Sequence, residues 1–104
     1  MKEITSIEQY QEIISHENAI ILFTANWCPD CIVIKPFMPS IVEKYSNYHF
    51  YSINRDHLMD LCIELEIFGI PSFVAFKGGK EVWRFVNKDR KTRQQIEDFI
   101  ESLA

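Results

Sequence analysis

The chain has 104 residues, a length at which one domain, spanning residues 1–104, is expected to bury a core without disulfide or metal support. Hydrophobic residues make up 47% of the chain and charged residues 25%, as in ordinary globular proteins. The net charge of −4 argues against a general nucleic-acid binder, and no apolar stretch is long enough to indicate a membrane partner.

The N-terminal residues and the cysteine content indicate a compartment. Residues 1–10 contain no apolar run, so no secretory signal is expected, and we predict that the protein is cytoplasmic. The cytoplasm keeps thiols reduced, whereas a secreted disulfide scaffold usually has more cysteines, in even number, on a shorter chain. The three cysteines therefore indicate redox chemistry, metal binding or core packing.

The first predicted elements are a helix and a buried strand. Thr5 and Glu8 fit a capping box, in which a hydroxyl and an acidic side chain satisfy free backbone donors. A helical stripe of apolar residues follows, formed by Ile7, Tyr10, Ile13 and Ile14. Residues 19–25, AIILFTA, are apolar with β-branched and aromatic side chains, which predicts a strand buried on both faces.

A second helix and a second strand are predicted next. The helix begins after Cys28 and extends to about Tyr45, but Pro36 and Pro39 lie within it. Proline lacks a backbone donor and crowds the preceding turn, so we expect a kink or a break there. Residues 49–54, HFYSIN, alternate in polarity and predict a strand.

The third predicted helix is short, and a hairpin follows it. Asp56 is the expected cap of this helix. Its apolar side consists of Leu58, Leu61, Cys62 and Leu65. Residues 68–86 contain two β-rich runs around Gly78 and Gly79, which supply the positive φ angles of a tight turn.

A last helix completes the predicted order αβαβαββα. Thr92 and Gln95 form another capping box. The apolar stripe after it consists of Ile96, Phe99, Ile100 and Leu103. The early β-α-β crossover requires parallel strands, and the late hairpin adds antiparallel ones. The sequence therefore predicts an α/β fold with a mixed central sheet that helices cover on both faces.

The chemically informative stretch is WCPDC, residues 27–31, at a predicted strand-to-helix junction. The first turn of a helix presents free N–H groups and the positive end of its dipole, which stabilise an anion. Cys28 is therefore expected to be the more acidic and more exposed sulfur. Cys31 lies about one turn deeper, within reach of a mixed disulfide formed at Cys28. A Cys-x-x-Cys beside a βαβ pattern is typical of a redox centre.

Two other interpretations of the cysteines are weaker. A zinc site would use Cys28, Cys31, His57 and Cys62, whose spacing matches no standard zinc motif. A purely structural Cys28–Cys31 disulfide would close so short a loop that it removes little entropy from the unfolded chain. Cys62 itself lies on an apolar helical face, which favours a core residue over a regulatory thiol.

The sequence resembles the thioredoxin family over nearly its whole length. The resemblance rests on WCPDC, on Pro36 in the helix that follows, on GIPS at residues 69–72 and on the hairpin FKGGKEV. It implies a thioredoxin fold, thiol–disulfide exchange on protein substrates and no bound cofactor. It also implies a cis bond before Pro71 and a substrate groove formed by Trp27, Ile70 and Pro71.

The sequence departs from the family pattern in three respects. The buried aspartate that is thought to accept a proton from the deeper cysteine corresponds to Leu22, and its lysine partner corresponds to Ser52. The Gly-Pro pair inside the thioredoxin motif is Pro29-Asp30 here, and a glycine at the rim of the groove corresponds to Asn87, which tolerates left-handed geometry. Either water accepts the proton of Cys31 in this chain, or Asp30 contributes, or thiol–disulfide exchange is slower.

Trp27, Pro29 and Asp30 are the residues predicted to tune the dithiol. A carboxylate in the first helical turn stabilises the helix but opposes a second anion, so Asp30 is expected to raise the cysteine pKa. A less stabilised thiolate favours a reductant, so we predict a reducing potential. The basic segment 84–93 is interpreted as a solvated loop and helix start; the alternative is that it steers acidic substrates or offsets Asp30.

Together these features predict a cytoplasmic protein-disulfide reductase with a Cys28/Cys31 couple. Cys28 attacks the substrate disulfide, and Cys31 resolves the mixed disulfide that results. A thioredoxin-reductase-like flavoenzyme is the expected electron donor. The alternative is a redox-regulated binding module with low turnover, because Leu22 cannot act as the family's proton acceptor.

Overall fold

The computed structural model describes residues 1–103, and they form an α/β fold. The strands are β1 (Lys2–Ile4), β2 (Ala19–Thr24), β3 (His49–Asn54), β4 (Ser72–Lys77) and β5 (Lys80–Phe85). The helices are α1 (Ile7–His16), α2 (Pro29–Ile34), α3 (Met38–Lys44), α4 (Met59–Glu64) and α5 (Arg93–Glu101), with a 3-10 turn at Lys35–Phe37. Within the described part of the chain, no helix has the length and apolar character needed to cross a membrane.

The strands form one mixed sheet in the order β1-β3-β2-β4-β5. Strands β1, β3 and β2 are parallel, β4 runs antiparallel to β2, and β5 runs antiparallel to β4. The predicted mixed sheet is confirmed, with β1 as an additional strand that the sequence did not predict. Because β2 is central, the segment that follows it leaves the sheet at the carboxyl end of a parallel strand, where α/β proteins usually place their sites.

The core occupies both faces of this sheet. Ile21 and Phe23 of β2 pack with α1 and α4, whereas Ile20 and Leu22 pack with α3 and α5. Each of the four side chains is at most 5% exposed, which confirms the prediction of a strand buried on both faces. Burial of one such side chain stabilises the fold by roughly 1.5–3 kcal/mol.

Helix α1 begins one residue later than predicted. Its N-cap is Ser6, whose Oγ accepts the Gln9 N–H at 3.1 Å, while Gln9 Oε1 accepts the Thr5 N–H at 2.9 Å. The predicted capping box of Thr5 and Glu8 is therefore wrong by one position. Ser6 and Gln9 have the same residue types and spacing as a capping box, so the sequence is compatible with either register.

Helix α4 also begins differently from the prediction. Leu58 is its N-cap residue and makes no capping bond through its side chain, so the predicted cap at Asp56 is wrong. The Asp56 carboxylate instead accepts a hydrogen bond from Trp27 Nε1 at 2.7 Å. Asp56 lies two residues before the N-cap position, so its carboxylate is not placed to cap α4.

Proline divides the second predicted helix. Helix α2 ends at Ile34, the 3-10 turn contains Pro36, and Pro39 lies in the first turn of α3. The predicted break is confirmed, and Pro36 alone accounts for it. Pro39 lies in the first turn of α3, where the backbone donor that proline lacks would have no helical partner.

The C-terminal elements follow the prediction closely. Gly78 and Gly79 form the tight turn of the hairpin with φ angles of +59° and +80°. Thr92 and Gln95 form the capping box of α5, with both reciprocal hydrogen bonds present. The α5 stripe of Ile96, Phe99 and Ile100 is buried. Each of these features depends on residues within four positions of one another, which makes it visible in the sequence.

Candidate active site

The two cysteines of the WCPDC motif meet at the start of α2. Cys28 is the N-cap residue, and its Sγ accepts a hydrogen bond from the backbone N–H of Cys31 at 3.3 Å. Pro29 is the first helical residue, where a fixed φ and a missing donor are favourable. The sulfur of Cys28 therefore replaces the usual capping oxygen at the start of α2.

Both cysteines are buried, each with 5% of its surface exposed. The two residues are equally exposed as wholes, so the greater exposure expected for the Cys28 sulfur stays a prediction. The Cys28 Sγ is 3.9 Å from the Ile70 carbonyl oxygen. Burial raises the pKa of Cys31 to about 11, and its hydrogen bond with Cys28 adds to the rise. Thr24 and the backbone of Ala25 act in the opposite direction.

The residues assigned to the groove lie around this dithiol. The peptide bond between Ile70 and Pro71 is cis, and both residues are buried. Trp27 is 58% exposed, and its hydrogen bond to Asp56 fixes the indole ring. Phe68, which sequence analysis did not single out, is 77% exposed beside the GIPS segment. An exposed aromatic residue directly before that segment is the signal that could have found it.

Asp30 forms an ion pair with a residue far away in sequence. Arg90 Nε lies 2.8 Å from Asp30 Oδ1, and the two side chains are 61% and 31% exposed. Because solvent screens such a pair, its contribution to the free energy of unfolding is on the order of 0–1 kcal/mol. The contact supports the alternative that the basic segment offsets the charge of Asp30. The reducing potential and the steering of acidic substrates stay predictions.

The solvated-loop interpretation of the basic segment is wrong for Lys91, which is 1% exposed. Backbone and amide oxygens of its own loop replace water around its ammonium group, at Asn87 and Asp89. Asn87 does not adopt the left-handed geometry that asparagine tolerates. Among residues 1–103, the one non-glycine residue with a positive φ is Glu66.

Leu22 lines an open cleft of about 830 Å³ that reaches Cys31. Leu22 is paired with Ser52 across β2 and β3, so the two departures from the family pattern are neighbours on the sheet. Lys35 and Glu3 also belong to the lining. The cleft opens to solvent on the side of Cys31 where the family resemblance implies a carboxylate.

Cys62 is separate from the dithiol. It is 1% exposed on α4, and burial raises the pKa of its thiol to about 11. The interpretation as a core residue agrees with this environment.

Among residues 1–103, no three histidine, cysteine or carboxylate side chains converge as a metal site. The zinc alternative therefore has no ligand set in the described part of the chain.

A dithiol at the N-terminus of a helix, directly after the central strand of a mixed sheet, defines a class of thiol–disulfide exchange proteins. The family model for thioredoxin matches residues 2–102. The thioredoxin of Callithrix jacchus is 35% identical over 105 residues, covering 96% of this chain and 99% of that protein. The Homo sapiens thioredoxin is 36% identical over 95 residues, covering 86% and 90%. The solved structure of Plasmodium falciparum thioredoxin superimposes with a TM-score of 0.89 at 26% identity and covers 100% of both chains.

The chain therefore belongs to the thioredoxin family. Its activity is thiol–disulfide exchange, and the family and fold assignments made from the sequence are confirmed.

The close packing of Gly69 gives a first prediction. A Cβ at this position would collide with backbone atoms of Asn87 and Lys88. We expect Gly69→Ala to lower the free energy of unfolding by about 1–3 kcal/mol, because one backbone segment must move away from the other. Equilibrium urea unfolding measures this loss.

The matched control is Gly78→Asn. A Cβ at Gly78 meets nothing within 4 Å, and asparagine adopts the φ of +59° found there. We expect the unfolding midpoint of this variant to stay close to that of the wild type. Equal midpoints for Gly69→Ala and Gly78→Asn would contradict the prediction.

Proposed function

We propose that this protein reduces disulfide bonds of other proteins in the cytoplasm. The observation that supports the proposal most directly is the unequal arrangement of the two thiols. Cys28 caps α2 with its sulfur, whereas Cys31 lies within the helix and has a raised pKa. This arrangement suits two successive steps, in which Cys28 first attacks the substrate disulfide and Cys31 then attacks the mixed disulfide.

The reaction transfers two electrons from the dithiol to the substrate. The thiolate of Cys28 attacks one sulfur of a substrate disulfide, forms a mixed disulfide and releases the other substrate sulfur, which takes up a proton. Cys31 then loses its proton to water in the cleft and attacks the Cys28 sulfur. The Cys28–Cys31 disulfide forms, and the second substrate sulfur leaves as a thiolate.

The substrate is proposed to bind as an extended segment across Cys28. Trp27 and Phe68 supply exposed aromatic surface, and the backbone of Ile70 lies within 3.9 Å of the sulfur. An extended peptide pairs with backbone groups of this kind, which gives affinity with little dependence on sequence. This mode suits a reductase that acts on several proteins.

An electron donor must restore the dithiol after each turnover. We propose a thioredoxin-reductase-like flavoenzyme, since curated relatives of this chain are thioredoxins. The cytoplasmic location is proposed because that compartment keeps a dithiol of this kind reduced. Immunodetection in subcellular fractions tests the location independently of the activity.

Reduction of insulin tests the reductase activity. In the presence of dithiothreitol, the protein is expected to accelerate the reduction of insulin disulfides and the precipitation of the B chain. A coupled assay with NADPH and a thioredoxin reductase tests the donor. If Cys28 and Cys31 form their disulfide but insulin reduction is not accelerated, the reductase proposal fails. That outcome would favour the redox-regulated binding module.

A further inference from the structure

Lys91 is a buried cation on the loop whose Arg90 contacts Asp30 of the dithiol motif. It lies between β5 and α5 and is 1% exposed. Its Nζ donates to the Asp89 carbonyl oxygen at 2.8 Å, to Asn87 Oδ1 at 2.9 Å and to the Asn87 carbonyl oxygen at 3.3 Å. An ammonium group has three N–H donors and a neutral amine has two, so three acceptors specify the charged form.

The charge of Lys91 has no carboxylate beside it. Among residues 1–103, no carboxylate oxygen lies within 4 Å of its Nζ, and the ring of Phe85 covers it at 5.1 Å. Burial lowers the pKa of the ammonium group, whereas Asp89, Asp30 and the two cysteines of the motif act to raise it. A buried cation is expensive without an anion nearby, and the dithiol becomes an anion when it is deprotonated.

The loop that holds Lys91 also joins the two sides of the active site. We call residues 87–91 the clasp loop. Ser72 Oγ donates its hydrogen to the Gly69 carbonyl oxygen at 2.6 Å and lies 3.3 Å from the Asn87 carbonyl oxygen of the clasp loop. Arg90 of the same loop binds Asp30 on α2. The clasp loop therefore connects the GIPS segment with the helix that carries the cysteines.

We propose that Lys91 is a positioning residue of the dithiol site, in which its buried ammonium group holds the clasp loop together and favours the anionic form of the dithiol. Leu22 at the position of the family's buried aspartate leaves the dithiol without that negative charge, and Lys91 adds a fixed positive charge on the neighbouring loop. The other charges facing the dithiol are Asp30 and Asp89, with Arg90 paired to Asp30. Lys91 acts through electrostatics and does not contact the substrate.

The proposal predicts a change in the reactivity of Cys28. In the Lys91→Met variant, alkylation of Cys28 by iodoacetamide at pH 7 is expected to slow about three- to tenfold, because a nearby positive charge favours the thiolate. The pH midpoint of alkylation should move upward in parallel. Lys88→Met is the matched control: it removes an exposed lysine of the same clasp loop, so its rate should stay within about twofold of wild type.

A second variant separates the charge from the packing. Asn87→Ala removes a hydrogen-bond acceptor of Lys91 and keeps the ammonium group. We expect it to lower the unfolding midpoint while the pH midpoint of alkylation changes little. If Asn87→Ala slows alkylation as much as Lys91→Met does, the electrostatic role is overturned and only a structural one is left.

A measurement on the wild-type protein covers the case in which Lys91→Met does not fold. Coupling between two titrating groups is reciprocal, so reduction of the Cys28–Cys31 disulfide should raise the pKa of Lys91. Titration of the Lys91 Cε signal by NMR, in the oxidised and reduced proteins, measures this shift. Identical titration curves in the two states would overturn the proposal.

This inference depends on the dithiol chemistry of the family and not on the proposed direction of electron flow. Alkylation and NMR titration require no substrate and no turnover. A negative result with insulin would therefore leave the role of Lys91 standing, and unchanged alkylation in Lys91→Met would leave the reductase proposal standing.

Discussion

The Cys31→Ser variant is expected to stop turnover and to retain the substrate covalently on Cys28. Serine cannot displace the second substrate sulfur, so the mixed disulfide has no intramolecular route to resolution. We expect the rate of insulin reduction to fall about a thousandfold or more. Non-reducing electrophoresis and mass spectrometry of the Cys28 peptide measure the trapped species.

The matched control for this trap is Cys62→Ala. Cys62 is 1% exposed and packs in the core, away from the dithiol chemistry. Its substitution should lower the free energy of unfolding by about 1–2 kcal/mol and leave insulin reduction nearly unchanged. Trapped complexes that survive in a Cys28→Ser/Cys31→Ser double variant would show that another thiol holds the substrate, which would contradict the assignment of Cys28.

The second large effect concerns the resolution of the mixed disulfide, whose rate is expected to rise about tenfold for each pH unit across the neutral range. The attacking species is the thiolate of Cys31, and burial raises the pKa of its thiol to about 11. At any pH below that value, the ionised fraction grows tenfold per unit. The effect of burial persists in the mixed disulfide, because it does not require a charge on Cys28.

Release of thionitrobenzoate from a preformed mixed disulfide at Cys28 measures this step alone. A plot of the logarithm of the release rate against pH should be linear with a slope near one, until the rate levels off as the pH approaches the pKa of Cys31. A flat profile between about pH 6 and 9 would show that a group within the protein accepts the proton, and water in the cleft would then be excluded as the acceptor.

Leu22→Asp places a carboxylate in the cleft that reaches Cys31. We expect it to accelerate resolution at pH 7 about tenfold and to make the pH profile shallower, because the carboxylate accepts the Cys31 proton. The free energy of unfolding should fall by about 2–4 kcal/mol, since Leu22 is 5% exposed and packs in the core. Leu22→Asn is the control, with the same size and no basic oxygen pair. Equal acceleration by both variants would contradict a role in proton transfer.

Features encoded by neighbouring residues were predictable. The strand of residues 19–24 is apolar throughout, and the hairpin turn at Gly78 and Gly79 requires residues that accept positive φ. The break at Pro36 follows from a missing donor, and Cys28 and Cys31 lie one helical turn apart in any helix that begins after Cys28. In each case the cause acts over about four residues, so the sequence alone determines the outcome.

Contacts between distant segments were decided only by the tertiary structure. Strand β1 has three residues and exists because β3 offers a free edge to pair with. Arg90 reaches Asp30 across 60 residues, and the backbone of the clasp loop at Asn87 and Lys88 packs against Gly69. A basic loop is expected to be solvated from its composition alone. Lys91 is nevertheless buried, because oxygen atoms of Asn87 and Asp89 accept its hydrogen bonds in place of water. The dithiol could therefore be predicted from the sequence, whereas the positions of the charged groups around it depend on packing between segments far apart in the chain.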